Sequence, residues 1–301
     1  MTFRPEAYTW LARALGAGPS PLDLTRLQGA TSSSVFLVQV MRGGEAQRFV
    51  LRVLDNSQWL ANEPDLAAHE AAALTEAQKA GLAAPRLVAY AADDVGFGAP
   101  AILMSFLEGR IELAPADFQA WLHGLAGALA SIHQHPAHGF AWRFRSWVNR
   151  AGLAPPVWTT IPGAWERAIE RVCGPEPVAP LVFIHRDYHP TNVLWQGGEV
   201  SGVVDWINAC QGPAGVDVAH CRTNLALMFG RAAADQFLEA YTRSDPGFVC
   251  DPYWDLDSLL DMCLPEPLFY PPWQDFKLDF LGPKVLASRV DAYLVSVMKR
   301  I

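Results

Sequence analysis

Lysine is nearly missing from this chain: there are four in 301 residues, and Lys79 alone precedes position 277. Lys and Arg together number 23 against 31 Asp and Glu, giving a formal net charge of −8 and a pI near 5.5. That balance argues against nucleic acid or an anionic membrane as the main partner, since both are held through excess basic side chains. No apolar stretch reaches the roughly eighteen residues of a membrane-spanning helix. The first residues, Met1-Thr2-Phe3-Arg4-Pro5-Glu6, lack the apolar core of a signal peptide. The cysteines (Cys173, Cys210, Cys221, Cys250 and Cys263) are odd in number and show no C-x-x-C spacing. They read as buried free thiols of a reducing compartment, so the expected location is cytoplasmic.

What is abundant is apolar mass. Hydrophobic residues make up 51% and charged residues 18%, enough to bury a large core. The length suits two lobes sharing a cleft, expected over residues 1–106 and 107–301. After a short helix at about 5–15, strand patterns cluster at 22–28, 35–41, 48–54, 86–90 and 101–106. One helix, at about 64–80, interrupts them, with Asn62 as its expected cap and Gly81 as its stop. This is an antiparallel order, not a βαβ repeat. Helical patterns then dominate, at 115–134, 165–172, 216–228, 232–242, 254–262 and 284–299. The expected class is α+β: a five-stranded antiparallel lobe with one main helix, followed by a mostly helical lobe. His133, His135 and His138 crowd one helix end, but without a fourth ligand they argue poorly for zinc.

The chemistry concentrates in His185-Arg186-Asp187-Tyr188-His189-Pro190-Thr191-Asn192, followed by Val203-Val204-Asp205-Trp206. A strand precedes the first run, and two more flank Gly197-Gly198. A tight turn at those glycines sets Asn192 roughly opposite Val203. Asp205, two residues on, then faces the same side, so amide and carboxylate can meet at one ion. Alone, each group has a plain reading: an Asp after a strand caps or turns, and a His is a core residue. Together they are the set a kinase-type phosphotransferase needs. Asp187 would take the proton of an attacking hydroxyl, while Asn192 and Asp205 would hold Mg²⁺ against phosphates. Asp217 opens a helix and reads most simply as its N-cap.

Such chemistry also needs a cation near the phosphates. The third strand offers Arg52, on the face shared by Val50, which would cover the adenine. In the following helix Glu70 lies on a stripe with Leu66, Ala73, Leu74 and Ala77. An unpaired buried carboxylate costs several kcal/mol, on the order known for buried ions, so Arg52–Glu70 is the expected pair. The alternative is two solvated surface charges. Between the first two strands, Gly29-Ala30-Thr31-Ser32-Ser33-Ser34, ahead of Val35, can bring backbone N–H groups and hydroxyls to phosphate oxygens. Late in the chain Asp257 and Asp261 share one helix face among aromatics. They suit a cationic acceptor, or else form a solvated acidic face. Eight of the eleven tryptophans follow residue 140; most are expected in the core, and some on the wall of a cleft.

These motifs resemble the aminoglycoside phosphotransferase family, related in fold to protein kinases. Its catalytic loop reads His-Gly-Asp-x-His-x-x-Asn, and its metal segment Ile-Asp-Trp or similar. His189 and Trp206 match that pattern, whereas protein kinases carry Asp-Phe-Gly at the second segment. Arg186 departs from it, standing where the family usually has Gly and protein kinases have Arg. Only eleven residues separate Asp205 from Asp217 and no Ala-Pro-Glu follows, which leaves no room for a phosphorylated activation loop. The resemblance runs loosely over 22–229. It implies a protein-kinase-like two-lobed fold, ATP or GTP with Mg²⁺, and γ-phosphoryl transfer to a hydroxyl of a small molecule. It further implies that Met104-Ser105-Phe106-Leu107 is the hinge, with adenine on its backbone and Met104 behind. Arg52 would replace the usual Lys, and His185 and Asp217 would brace the catalytic loop. Antibiotic acceptors such as an aminoglycoside stand beside metabolic ones: choline, homoserine, a sugar or a glycated amine. A nucleotide-binding pseudokinase is the rival of another class, prompted by Arg52 and the single-glycine loop.

Overall fold

The computed structural model describes residues 3–16, 22–28, 32–136, 138–267, 269, 273, 276, 278 and 281–301. The chain forms two compact units: Met1–Gly109 with Ser201–Asn208, and Arg110–Val200 with Ala209–Ile301.

In the first unit, α1 (Pro5–Leu15) starts on a proline and stops at Gly16, whose φ of 58° is left-handed. Then come β1 (Asp23–Arg26), β2 (Ser34–Arg42), β3 (Glu45–Val53), α2 (Ser57–Asn62), α3 (Leu66–Lys79), β4 (Leu87–Ala91) and β5 (Ala101–Ser105). The strands make one antiparallel sheet in the order β1-β2-β3-β5-β4. Alternation gives the sheet two characters. Phe36, Val38, Leu51, Val53 and Leu103 form a core with Ala7, Leu11 and Leu15 of α1. The register pairs Val35 with Arg52, and Val50 with Met104, which puts these four residues on the opposite face. Helix α2 departs from the expected single helix. The Asn56 side chain accepts from the Trp59 N–H and caps α2, so Asn62 ends this helix and does not cap the next. Helix α3 begins at Asp65 with no side-chain cap bond.

The second unit adds β6 (Arg110–Ile111), α4 (Phe118–His133), α5 (Pro162–Cys173), β7 (Leu181–Ile184), β8 (Val193–Gln196) and β10 (Cys210–Pro213), while β9 (Glu199–Val203) starts in it and ends in the first unit. It closes with α6 (Ala214–Phe229), α7 (Arg231–Ser244), α8 (Pro252–Cys263) and α9 (Pro283–Met298). β7 pairs antiparallel with β10, and β6 with β8. Gly197 and Gly198 both have positive φ (62° and 87°), as a two-residue hairpin turn requires. Helix α6 is buried on nearly every side and packs against α7, α8 and α9. Trp165, Trp254 and Trp273 are core residues, whereas Trp147 is exposed. Asp257 is buried, which overturns the solvated acidic face for that residue. Among the described residues no helix is long and apolar enough to cross a membrane.

Candidate functional site

In the second unit, β7 delivers the His185–Asn192 run and α6 clamps it. Asp217 is not an N-cap, since α6 begins at Ala214 behind Pro213. Its carboxylate, one helical turn in, accepts the backbone N–H groups of His185 (2.7 Å) and Arg186 (2.7 Å). His133, from α4, approaches the same carboxylate at 3.1 Å through Nε2, while its Nδ1 meets the Tyr241 hydroxyl at 2.6 Å. Burial pushes the Asp217 carboxyl up, but His133, His185 and these hydrogen bonds outweigh it and hold it below its ordinary value. His185 therefore joins the brace through its backbone N–H. Its ring is wholly buried, edge-on to Tyr188.

Asp187 keeps 28% of its side chain exposed, and its Oδ1 lies 3.1 Å from His220 Nε2 and 3.5 Å from His189 Nε2. Burial would raise its carboxyl, yet His189, His220 and His185 hold it well below the usual carboxylate range. His220 stands one turn after Asp217 on α6, so the same helix face supplies the clamp and this contact. Sequence reasoning missed His133, Tyr241 and His220. The i, i+3 spacing of Asp217 and His220 was the available signal. Asp187, His189 and His220 bring ligand atoms within 4.8 Å of one another. The His189 ring, however, is already engaged by Thr191 Oγ1 (2.7 Å) and Asn192 Nδ2 (3.2 Å). We read the cluster as a hydrogen-bond network. Asn192 Nδ2 also donates to the Asp187 carbonyl (2.9 Å), which turns its Oδ1 away as an acceptor.

In the first unit, Arg52 Nη1 lies 2.7 Å from Asp205 Oδ1 and 3.4 Å from Glu70 Oε1. Glu70 is 1% exposed. Burial pushes its carboxyl up to about 7, with Arg52 opposing and Asp205 adding to the rise. The segment carrying Asp205 is fixed by the Val203 N–H on the Ala83 carbonyl (2.7 Å) and by Trp206 Nε1 on the Val203 carbonyl (2.8 Å). At the expected hinge, the N–H groups of Ser105 and Phe106 are taken by the Arg86 and Arg48 carbonyls, and Ser105 Oγ accepts the Arg86 N–H (2.9 Å). A ring bound there would be left Leu107 as its N–H donor. Of the expected phosphate loop, Gly29 and Thr31 lie outside the described residues. Ser33 is buried, Ser32 and Val35 half-buried, and the Val35 carbonyl accepts the Leu27 N–H (2.8 Å).

Among the described residues only two other than glycine have positive φ: Arg186 (71°) and Asp205 (68°). Backbone strain of this kind concentrates at functional sites, and here it marks the residue before Asp187 and the second carboxylate of the motif. The Arg186 side chain is buried, its guanidinium carbon 3.6 Å from the Trp147 ring centroid and 4.9 Å from that of Phe144. Trp147 also lines a cavity of about 510 Å³, together with Asp261, Leu260, Pro155 and Pro156. Asp257 accepts the Ser146 hydroxyl at 2.7 Å. Burial raises the carboxyls of both Asp257 and Asp261.

A five-stranded antiparallel unit with one main helix, and a helical unit carrying a clamped His-x-Asp-x-His-x-x-Asn loop, make this a protein-kinase-like fold. The chain belongs to the phosphotransferase enzyme family, whose sequence profile matches residues 23–253. It is similar to homoserine kinases from Rhodopseudomonas palustris, 30% identical over 166 residues (50% of each chain), and from Chelativorans sp., 31% identical over 143 residues (41% of each). The matched stretch spans about half the length of these curated relatives. Among solved structures, a provisionally assigned aminoglycoside phosphotransferase from Ralstonia eutropha has a TM-score of 0.67 at 15% identity, with 99% of each chain covered. A thermostable mutant of aminoglycoside phosphotransferase APH(4)-Ia, in ternary complex with ADP and hygromycin B, has a TM-score of 0.59 at 16% identity over 97% of each chain. At such identities the likeness establishes the fold.

Proposed function

We propose that the protein transfers the γ-phosphoryl group of ATP or GTP to a hydroxyl of a small molecule, with Mg²⁺. The observation that carries this reading is Asp187: a carboxylate flanked by two histidines, which hold it below its ordinary pKa, on a loop clamped through two backbone N–H groups by Asp217. Its low proton affinity suits a loose transition state, in which the acceptor proton leaves late and orientation matters more than base strength. Asn192 Oδ1 and the Asp205 carboxylate are hard oxygen donors of the kind Mg²⁺ prefers, so the residues fit the ion. Bound there, Mg²⁺ would neutralise phosphate charge. Arg52, with Glu70 behind it, would meet the phosphates; its planar fork suits a bidentate contact. The acceptor chemistry common to the aminoglycoside and homoserine relatives is a hydroxyl compound bearing an amino group.

Calorimetry with Mg²⁺–ATP and Mg²⁺–GTP, paired with turnover on a panel of alcohols, tests the assignment. Asp187→Asn is expected to cut turnover by about 10²–10⁴-fold with nucleotide affinity within a few-fold. Asp205→Ala is expected to lose Mg²⁺-dependent binding, and normal binding by that variant would sink the metal role. One contact favours the pseudokinase rival: Arg52 Nη1 sits on Asp205 Oδ1. Tight nucleotide binding with no turnover on any alcohol would support that rival.

A further inference from the structure

We propose that His220 is a positioning residue of the site: from helix α6 it holds Asp187 Oδ1, so that Oδ2 is the oxygen left for the acceptor hydroxyl. The inference rests on the phosphotransferase reading, in which Asp187 orients that hydroxyl. It adds a residue that lies outside the loop motif.

The backbone of the loop is fixed, but that alone leaves the Asp187 side chain free to rotate. Asp217 holds the N–H groups of His185 and Arg186 (2.7 Å each), and the Asp187 carbonyl accepts from Asn192 Nδ2 (2.9 Å). None of these bonds touches the Asp187 carboxylate. Misplacing a reacting group by about 1 Å can cost about a hundredfold in rate, so the carboxylate needs an anchor of its own. Among the described residues, the two side chains in polar contact with it both address Oδ1: His220 Nε2 at 3.1 Å and His189 Nε2 at 3.5 Å.

The two histidines are not equivalent. His189 stands beyond the usual N–H···O range, and its ring already meets Thr191 Oγ1 (2.7 Å) and Asn192 Nδ2 (3.2 Å). It belongs to the mesh of the loop itself, and replacing it would disturb Asn192 as well. His220 lies at hydrogen-bond distance and comes from outside the loop. It is 8% exposed, so little water competes for the bond. Its footing is rigid, because α6 is buried on nearly every side and packs against α7, α8 and α9. The Asn224 side chain also donates to the His220 carbonyl (3.0 Å). Asp217 and His220 are one turn apart on the same helix face. Helix α6 therefore holds the loop twice, Asp217 by its backbone and His220 by the side chain that acts. With the Nε2 proton donated to Oδ1, one carboxylate oxygen is occupied and the other keeps its lone pairs for the acceptor.

The test uses the full chain with Mg²⁺–ATP and the acceptors ethanolamine, glycerol and D-glucose, with water as the acceptor in the blank. His220→Leu removes the donor, His220→Gln keeps an N–H at nearly the same reach, and His220→Asn offers one a methylene too short. His220→Leu is expected to lower kcat by about ten- to a hundredfold, the worth of a hydrogen bond to an ionised group. KM for ATP and the calorimetric affinity for Mg²⁺–ATP should stay within about threefold. His220→Gln should recover most of kcat, and His220→Asn little of it. In the Asp187→Asn background His220→Leu should cost less than about threefold, because the two residues act as a unit. A His220→Leu variant that keeps kcat within about threefold of wild type overturns the proposal. So do equal losses in His220→Gln and His220→Leu, or losses that add to that of Asp187→Asn. An effect confined to the acceptor KM also overturns it, and would assign the ring to Asp261 in the cavity, whose carboxyl it lowers. A merely structural role would lower the unfolding midpoint and leave kcat per folded molecule unchanged, which is a further refutation. If the wild type transfers phosphate only to water, the alcohol assignment falls and the variants are judged on hydrolysis; if it cleaves no ATP, both readings fall.

Discussion

Arg222 and Arg186 are both buried in the helical unit, yet their guanidinium groups meet opposite surroundings. Arg222, fully enclosed on α6, donates to the Ala234 carbonyl (3.2 Å), to Asp235 (3.2 Å) and to Asp255. Asp255 also accepts from the Tyr293 hydroxyl (2.8 Å) and pairs with Arg300 (2.7 Å). Burial works against the charge on Arg222, but Asp255 and its neighbours more than offset it and raise its pKa. At Arg186 burial prevails and the pKa falls. A buried charge is therefore no sign of function in itself. The informative difference is what answers the charge: Arg222 has three protein acceptors, whereas Arg186 rests on the rings of Trp147 and Phe144.

The largest expected effect breaks the satisfied network. Arg222→Met takes the buried cation from Asp255, which is 2% exposed and keeps only Tyr293 and Arg300, and should cost about 3–5 kcal/mol in denaturant unfolding, as for a buried pair that loses one partner. The double variant Arg222→Met/Asp255→Leu should recover much of that loss. A single variant within about 1 kcal/mol of wild type would refute the structural reading of Arg222.

Arg52 lies between the two extremes, buried with Asp205 close and Glu70 farther off. Arg52→Ala is expected to weaken triphosphate binding by about tenfold or more while leaving nucleoside binding nearly unchanged, with partial recovery in Arg52→Lys. Equal triphosphate affinity in Arg52→Ala and wild type would remove Arg52 from the phosphate site.

These contrasts also show what a sequence can disclose. The sheet was legible because its strands alternate over several residues between turn formers. The approach of Arg52 to Glu70 was legible because a carboxylate on an apolar helix stripe demands a cation. Helix α2 was not, since six residues give too short a period and Asn56 and Asn62 offer competing caps. The clamp on the His185–Asn192 loop joins Asp217 to His133, 84 residues away, and Arg52 reaches Asp205 across 153 residues. Side-chain pairs that distant leave no local pattern. Arg186 was visible as a departure from the family's glycine, but its stack on Trp147 is a tertiary fact.

A pH measurement sharpens the comparison at Asp217, a satisfied buried anion. Its folded pKa lies below the ordinary value of about 3.9, whereas the unfolded chain titrates near that value. On acidification the unfolded state takes up this proton first, so stability falls as pH drops from about 4 through the folded pKa. Above that window the contribution is fully present. Asp217→Asn should cost about 1–3 kcal/mol near neutral pH, typical of a buried group losing charged hydrogen bonds. Its stability should also be flatter than wild type on the acid limb. An identical acid limb in the variant would show that other carboxylates govern it.

The smallest stability effect is expected at Arg186, where two terms oppose. Arg186→Gly relieves a left-handed conformation whose cost is of order 1–3 kcal/mol for a residue other than glycine. It also removes a stacked cation contributing about 0.5–2 kcal/mol through the aromatic rings, and it frees the unfolded chain by a further 0.5–1 kcal/mol or so. The net change in unfolding free energy should lie within about 1 kcal/mol of zero, far below that of Arg222→Met. Parallel denaturation of the two variants reads this directly. Equal losses would mean that Arg186 is held by contacts as complete as those of Arg222. A small change would separate the two arginines: one keeps the unit folded, and the other adds little to its stability.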